Sequence, residues 1–175
     1  MVGGIWQMFK ETILIIDDNK EIVAALSDVL KSKGYAILAA YDGVRGLGLA
    51  VSKSPDLVLL DWNLPGLSGM QVLQELRIRG NRAPVILMTI YGSESVAVQS
   101  FKLGIRDYIR KPVGMPEMLE AIEKALAEDR LRREKERISK ELEQANHQLE
   151  QQLLEITTLH AIAQSITAVL DLEQV

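Results

Sequence analysis

Five polar residues stand where apolar runs of the chain stop. Asp17 and Asp18 follow Thr12–Ile16, Asp61 follows Asp56–Leu60, Thr89 follows Pro84–Met88, and Lys111 follows Asp107–Arg110. Three carboxylates drawn together would repel one another and resist ionisation without a counter-charge. A hard divalent cation with oxygen ligands resolves that conflict, and Mg2+ suits a small site shared with a phosphoryl group. Thr89 supplies a hydroxyl donor and Lys111 a mobile positive charge, both fitted to phosphoryl oxygens. An Asp carboxylate can itself be the nucleophile and form an aspartyl phosphate, while the cation neutralises the transferring group and holds it in line. One such residue alone says little, because Asp commonly opens loops and caps helices. Agreement among four strand ends carries the argument.

These residues must be positioned by the apolar runs before them. Thr12–Ile16, Asp56–Leu60 and Pro84–Met88 are apolar on both faces, as buried parallel strands are. Tyr35–Ala39 and Asp107–Arg110 are shorter and more mixed, which suits strands at or near an edge. Helical spacing of three and four separates them, first at Ile22, Leu26, Val29 and Leu30, then at Val72, Leu73 and Leu76. Asn19 and Asp42 read as N-caps, and Gly34 stands where a helix end favours a left-handed residue. A strand–helix unit repeated five times predicts an α/β fold, a doubly wound five-stranded parallel sheet with right-handed crossovers. Ligands of such sheets bind beyond the carboxyl ends of the strands, which is where the five polar residues fall.

Beyond Leu126 the character changes. Residues 128–158 hold neither Gly nor Pro and are rich in Glu, Gln, Arg, Lys and Leu. With Leu131, Ile138, Ala145, Leu159 and Ile166 at heptad position d, Leu142, Leu149, Ile156, Ala163 and Leu170 fall at a. Lys135 at a and Gln152 at d interrupt the stripe. This alternation predicts a long C-terminal helix that pairs as a coiled coil. Opposite charges four residues apart, Glu128 with Arg132 and Glu136 with Lys140, support the helix. The expected organisation is a lead-in at 1–10, a main domain at 11–127, a helix at 128–158 that joins two chains, and the start of a further domain at 159–175.

Composition narrows the function classes. The 175 residues are 47% apolar and 25% charged, with a net charge of −4 and no cysteine. Disulfides and thiolate metal sites are excluded. The charge gives no general reason to expect nucleic-acid binding. No run approaches the roughly 18 apolar residues of a membrane span, and no signal peptide is expected at the start. A cytoplasmic protein that engages neither membrane nor nucleic acid is the expectation.

Four stretches together resemble the receiver domains of two-component response regulators: Ile15–Asn19, Leu60–Gly69, the strand-end Thr89, and Asp107–Pro112. The resemblance implies a flavodoxin-like strand order of 2-1-3-4-5. It implies that Asp61 accepts a phosphoryl group from a histidine kinase or phosphotransfer protein. Asp17 and Asp18 would hold Mg2+ with Asp61 and the backbone carbonyl of Asn63, while Thr89 and Lys111 bind the phosphoryl oxygens. The Lys111–Pro112 bond would be cis. Tyr108, which alone reads as a half-buried strand aromatic, matches the family's switch aromatic. It would turn inward as Thr89 moves toward the phosphate, reshaping the face around the last strand. Ile90 departs from the family's usual small residue and is expected to narrow access to Asp61. Val113 and Leu64 are packing variants, and Tyr91 and Asn63 occupy positions that tune phosphate lifetime.

Other features carry less chemistry. His147 and His160 are followed by Gln148 and Ala161 rather than by an acid, and both read as helix-surface histidines. Trp62 lies beside Asp61, where it would shield the site or meet a kinase. Gly66 and Gly69 flank a turn. The stretch 159–175 resembles the opening helix of a GAF domain, so the output activity is expected beyond Val175. Two other functions fit some of these residues. A haloacid-dehalogenase-like phosphatase uses a similar Asp, Thr, Lys and Mg2+ set but requires Asp-x-Asp-x-Thr after its first strand. A structural dimerisation module would carry the site as a vestige.

Overall fold

A computed structural model describes residues 11–90 and 103–172, with side chains to residue 158. The elements in order are β1 (Thr12–Ile16), α1 (Lys20–Ser32), β2 (Ala36–Ala40), α2 (Gly43–Lys53), β3 (Leu57–Asp61), α3 (Gly69–Ile78), β4 (Val85–Thr89), β5 (Asp107–Arg110) and a long helix, α4 (Met115–Leu172). The five strands form one parallel sheet in the order β2-β1-β3-β4-β5. The Tyr91 position and the helix expected between β4 and β5 lie outside the described residues.

Strand alternation builds two cores from one sheet. Ile13, Ile15, Leu57, Leu59, Ile86, Met88 and Ile109 point to one face, where Val23, Leu26 and Leu30 of α1 meet Met118, Ile122 and Leu126 of α4. Leu14, Ile16, Val58, Leu60, Val85 and Leu87 point to the other, against Ala50 of α2 and Val72, Leu73 and Leu76 of α3. The central strands are buried on both sides, so they are apolar throughout rather than alternating. Each such side chain contributes about 1.5–3 kcal/mol by leaving water.

The caps fall where expected. Asn19 caps α1 by accepting from the N–H groups of Glu21 and Ile22, and Asp42 caps α2 by accepting from that of Arg45. Gly34 has φ of 92°, the left-handed conformation that lets the chain leave α1. Ser68 and Gln71 form a reciprocal capping box at the start of α3. Three strand ends shift by one residue from the sequence pattern. Tyr35 precedes β2 and packs into the core. Asp56 precedes β3, and its carboxylate accepts from the N–H of Thr12 at 3.0 Å. Thr89 completes β4 rather than following it. The α1 core face is centred on Val23, Leu26 and Leu30, with Val29 only half-buried.

Arg77 carries a structural duty that its place on a helix did not announce. Its guanidinium donates to the carbonyls of Asn81 at 2.8 Å, Ala83 at 3.1 Å, Leu103 at 3.3 Å and Gly104 at 2.8 Å. The planar fork thus ties the end of α3, the entry to β4 and the approach to β5 together. Burial lowers the Arg77 pKa below its ordinary value.

The chain divides into compact units at Asp129 and Arg130. Within the first unit, Arg106 pairs with Glu128 at 2.6 Å. Within the second, α4 is continuous to Leu172, and Leu131, Ile138, Leu142, Leu149 and Ile156 are all exposed. None of the described helices is long and apolar enough to cross a membrane.

Because a lysine is a point charge and cannot serve four carbonyls in fork geometry, Arg77→Lys should destabilise the fold nearly as much as Arg77→Met. The expected loss is about 2–3 kcal/mol by urea unfolding, the range of one or two charged hydrogen bonds. A lysine variant as stable as the parent would refute the clamp.

Candidate functional site

Parallel pairing aligns the strand ends, and the sequence places its polar residues there. Asp61 is the last residue of β3, the central strand, in register with Met88 of β4. Asp17 follows β1 directly, and its backbone N–H donates to the carbonyl of Ala40 at 3.1 Å. Both are nearly sealed, at 1% exposure for Asp17 and 5% for Asp61. Asp18 is exposed and completes a group of three carboxylates whose oxygens lie within 4.8 Å of one another. Thr89 ends β4 fully buried, and its carbonyl accepts from the Lys111 N–H at 2.7 Å.

Local turns hold these groups in place. The Asn19 N–H donates to Oδ1 of Asp17 at 3.0 Å while the Asn19 side chain caps α1, so one residue fixes both the acid and the helix start. The Asn63 N–H donates to Oδ2 of Asp61, also at 3.0 Å. Gly69 lies against the backbone of Asp61, where a Cβ would come within 2.2 Å of the Asp61 carbonyl oxygen. Gly43 lies as closely against Leu67, whose carbonyl oxygen would be 2.0 Å from a Cβ. The loop from Asp61 to Gly69 is thus held between two backbone contacts.

Lys111 joins the acids. Its Nζ donates to Oδ2 of Asp17 at 2.5 Å and to Oδ1 of Asp61 at 2.7 Å, with the ammonium side chain only 11% exposed. The Lys111–Pro112 peptide bond is cis. Burial opposes the charged form of Lys111, but the two carboxylates outweigh it and hold its pKa above the ordinary value. Asp61 responds in the other direction: burial and the nearby Asp17 raise its pKa despite the hydrogen bonds from Lys111 and Asn63. The two shifts look inconsistent for one ion pair. They reconcile because the ammonium divides its field between two acids, whereas each acid bears its own desolvation.

The donor set is all oxygen, which fits a hard cation such as Mg2+ and not a thiolate-seeking metal. Asp18 leaves the group open to solvent. Among the described residues the buried hydroxyl of Tyr108 finds no hydrogen-bond partner, and its half-buried ring packs against the α2–α3 core. Ile90 is exposed and lines a cavity of about 430 Å³ with Ile22, Leu26, Met88, Lys111 and Val113. Trp62 is half-buried against the α2–α3 core. His147 faces solvent and lies 3.1 Å from the Gln151 amide, while His160 lies beyond the described side chains. The sequence pattern gave no hint of the two backbone contacts at Gly43 and Gly69. The signal for the capping box, Ser68 three residues before Gln71, was legible.

In metal-free protein, a raised Asp61 pKa makes folding stability fall as pH rises from its ordinary value of 3.8 through its folded value. The Lys111 contribution has the same sign in a higher window, fully present below 10.5 and lost as pH rises through its higher folded value. In EDTA at neutral pH, Asp61→Asn should therefore stabilise the chain. Lys111→Met should destabilise it by about 3–5 kcal/mol, the cost of stripping a buried charge of its partner, and that loss should shrink toward pH 4. Urea midpoints across pH test both signs.

Comparison with known proteins agrees with this arrangement. The family model for the response regulator receiver domain matches residues 13–123. Sporulation initiation phosphotransferase F of Bacillus subtilis (strain 168) is 34% identical over 119 residues, covering 68% of this chain and 96% of that protein. The uncharacterized transcriptional regulatory protein YkoG of the same organism is 38% identical over 122 residues, which are 70% of this chain but 54% of YkoG, so the chain spans about half its length. Among solved structures, the CheY-like response regulator receiver domain protein from Methanospirillum hungatei JF-1 superposes with a TM-score of 0.66 at 30% identity, covering 70% of this chain and 98% of that one. Receiver domains are phosphoacceptor switches that bind Mg2+ at an acidic pocket and interact with histidine kinases and phosphotransfer proteins. With the sheet order, the acidic cluster and these matches in agreement, the chain belongs to the response regulator receiver domain family of two-component systems.

Proposed function

We propose that Asp61 is the phosphoacceptor of this receiver and that its phosphorylation switches a dimeric helical linker. The observation that carries the reading is the ammonium of Lys111 within hydrogen-bond distance of both Asp61 and Asp17 at the carboxyl end of the sheet. Asp17, Asp18 and Asp61 would hold Mg2+ with the Asn63 carbonyl, and the ion would supply charge neutralisation for the transferring group. A carboxylate oxygen of Asp61 attacks the phosphorus of a phosphohistidine on a kinase or phosphotransfer protein. The P–O bond forms, the P–N bond breaks, and the imidazole departs with its electron pair. Lys111 then pairs with a phosphoryl oxygen, and the Thr89 hydroxyl donates to another. The chain promotes its own phosphorylation and dephosphorylation and turns over no separate substrate.

Tyr108 is the switch aromatic in this reading. Its unpaired buried hydroxyl is costly to keep out of water, by about 1–3 kcal/mol, so the inward position gains when Thr89 moves toward a phosphate. Ile90 restricts the approach to Asp61 from the Lys111 side. The receiver occupies 11–127, and two chains join through residues 128–158 in the cytoplasm. The exposed leucines and isoleucines of α4 support that pairing. The dehalogenase-type phosphatase is set aside by the family match.

Labelling with a small radioactive acyl phosphate tests the acceptor. Mg2+-dependent, hydroxylamine-labile label is expected on the parent and none on Asp61→Asn. Lys111→Ala should label about 10²–10³-fold more slowly, as for loss of one transition-state donor. Label on Asp61→Asn would remove Asp61 from its role, and an unlabelled parent would favour a vestigial site.

A further inference from the structure

The exposed stripe on α4 carries information about how two copies meet. We infer that the helices pair parallel and in register, an orientation that rests on the homodimer reading above and goes beyond it. Glu134, Glu141 and Glu155 fall at heptad position g, one flank of the stripe. Arg137 bridges the first two of these, at 2.6 Å to Glu134 and 2.5 Å to Glu141, which fixes them along that edge. The other flank, position e, carries Arg132, Ser139, Asn146 and Leu153 and no acid. Parallel helices set g against the partner's e, whereas antiparallel helices set g against g. Only the parallel pair keeps the acidic edge away from its own copy.

The two polar interruptions lead to the same orientation. In a parallel pair Lys135 at a meets its own copy beside Glu134 of the partner subunit, which supplies the counter-charge. Gln152 at d meets its own copy, and two side-chain amides can donate and accept reciprocally. Antiparallel pairing has two ways to fit, and each fails on a different count. Setting Lys135 opposite Gln152 matches the polar residues, but it runs the positions after Thr158 alongside Glu128, Lys124 and Glu117. That stretch of α4 turns Met118, Ile122 and Leu126 into its own core. Centring the overlap on the whole stripe avoids this, but it sets Gln152 opposite Leu149 and strands Lys135 among apolar positions. Buried polar groups without partners oppose such a register. Parallel pairing keeps the helix in register to Leu172, where the backbone remains helical, with both polar interruptions matched.

The chain has no cysteine, so introduced thiols report the orientation in the full chain. Leu131→Cys, Leu142→Cys and Ile156→Cys are made singly, with Lys140→Cys on the outer face as control. Light scattering under reducing conditions counts the copies in each. A disulfide requires Cα atoms within about 7 Å. The expected result is a dimer in which all three seam variants oxidise to linked pairs while the control stays unlinked. A dimer in which Leu131→Cys links only when mixed with Ile156→Cys is antiparallel, which overturns the orientation and leaves the homodimer standing. A dimer in which no seam variant links is antiparallel in the other register or joins through another surface, and overturns it too. A monomer removes the homodimer reading and this inference with it.

Discussion

An ammonium shared between two buried carboxylates from different strands is the interaction on which the site depends. Asp17 and Asp61 are nearly sealed, and two ionised acids so close would drive the carboxyl ends of β1 and β3 apart or force a proton onto one of them. Lys111 meets both, but it neutralises only part of the charge, since Asp18 adds a third carboxylate to the group. The site therefore retains surplus negative charge at the end of an apolar sheet. That surplus is what attracts a divalent cation. Burial first, with a smaller push from Asp17, keeps the Asp61 pKa raised in the presence of its counter-ion.

The rest of the fold serves this arrangement by making the strand ends rigid. Parallel strands with both faces buried cannot slide without exposing whole rows of side chains. Asp61 and Thr89 are therefore fixed by Leu57–Leu60 and Val85–Met88 as much as by their own contacts. Lys111 depends on the far edge of the sheet, where β5 pairs only with β4. The Arg77 guanidinium binds Leu103 and Gly104 just ahead of that edge, so the strand that delivers the lysine is tied to α3.

Much of this was legible in the residues alone. The apolar runs identified all five strands, and Asp17, Asp18, Asp61 and Lys111 at the ends of three of them are brought together, because burial on both faces leaves chemistry nowhere to stand except at the ends. The limits of the strands were less legible. Tyr35 is as apolar as its neighbours yet packs ahead of β2, and Asp56 is turned aside to cap β1; a hydropathy pattern does not separate packing from ladder pairing. Arg77 was not legible, since an arginine on a helix gives no sign that four carbonyls of other segments surround it. The close approaches of Gly43 and Gly69 were not legible either, because a glycine can mark a turn, a left-handed residue or a contact, and only the neighbouring chain decides which.

The seat of the loop from Asp61 to Gly69 is made of main chain on both sides, one carbonyl against Gly43 and another against Gly69. The Leu67 Cβ also lies against Gly43, whereas the contact at Gly69 is with main chain. The rest of the loop is anchored too, since Leu64 and Trp62 pack into the α2–α3 core. The Asp61 carboxylate is thus placed by the main chain around it, with the Asn63 N–H donating to its Oδ2. A methyl group added at Gly43 or Gly69 would press on that loop and so on where the carboxylate stands.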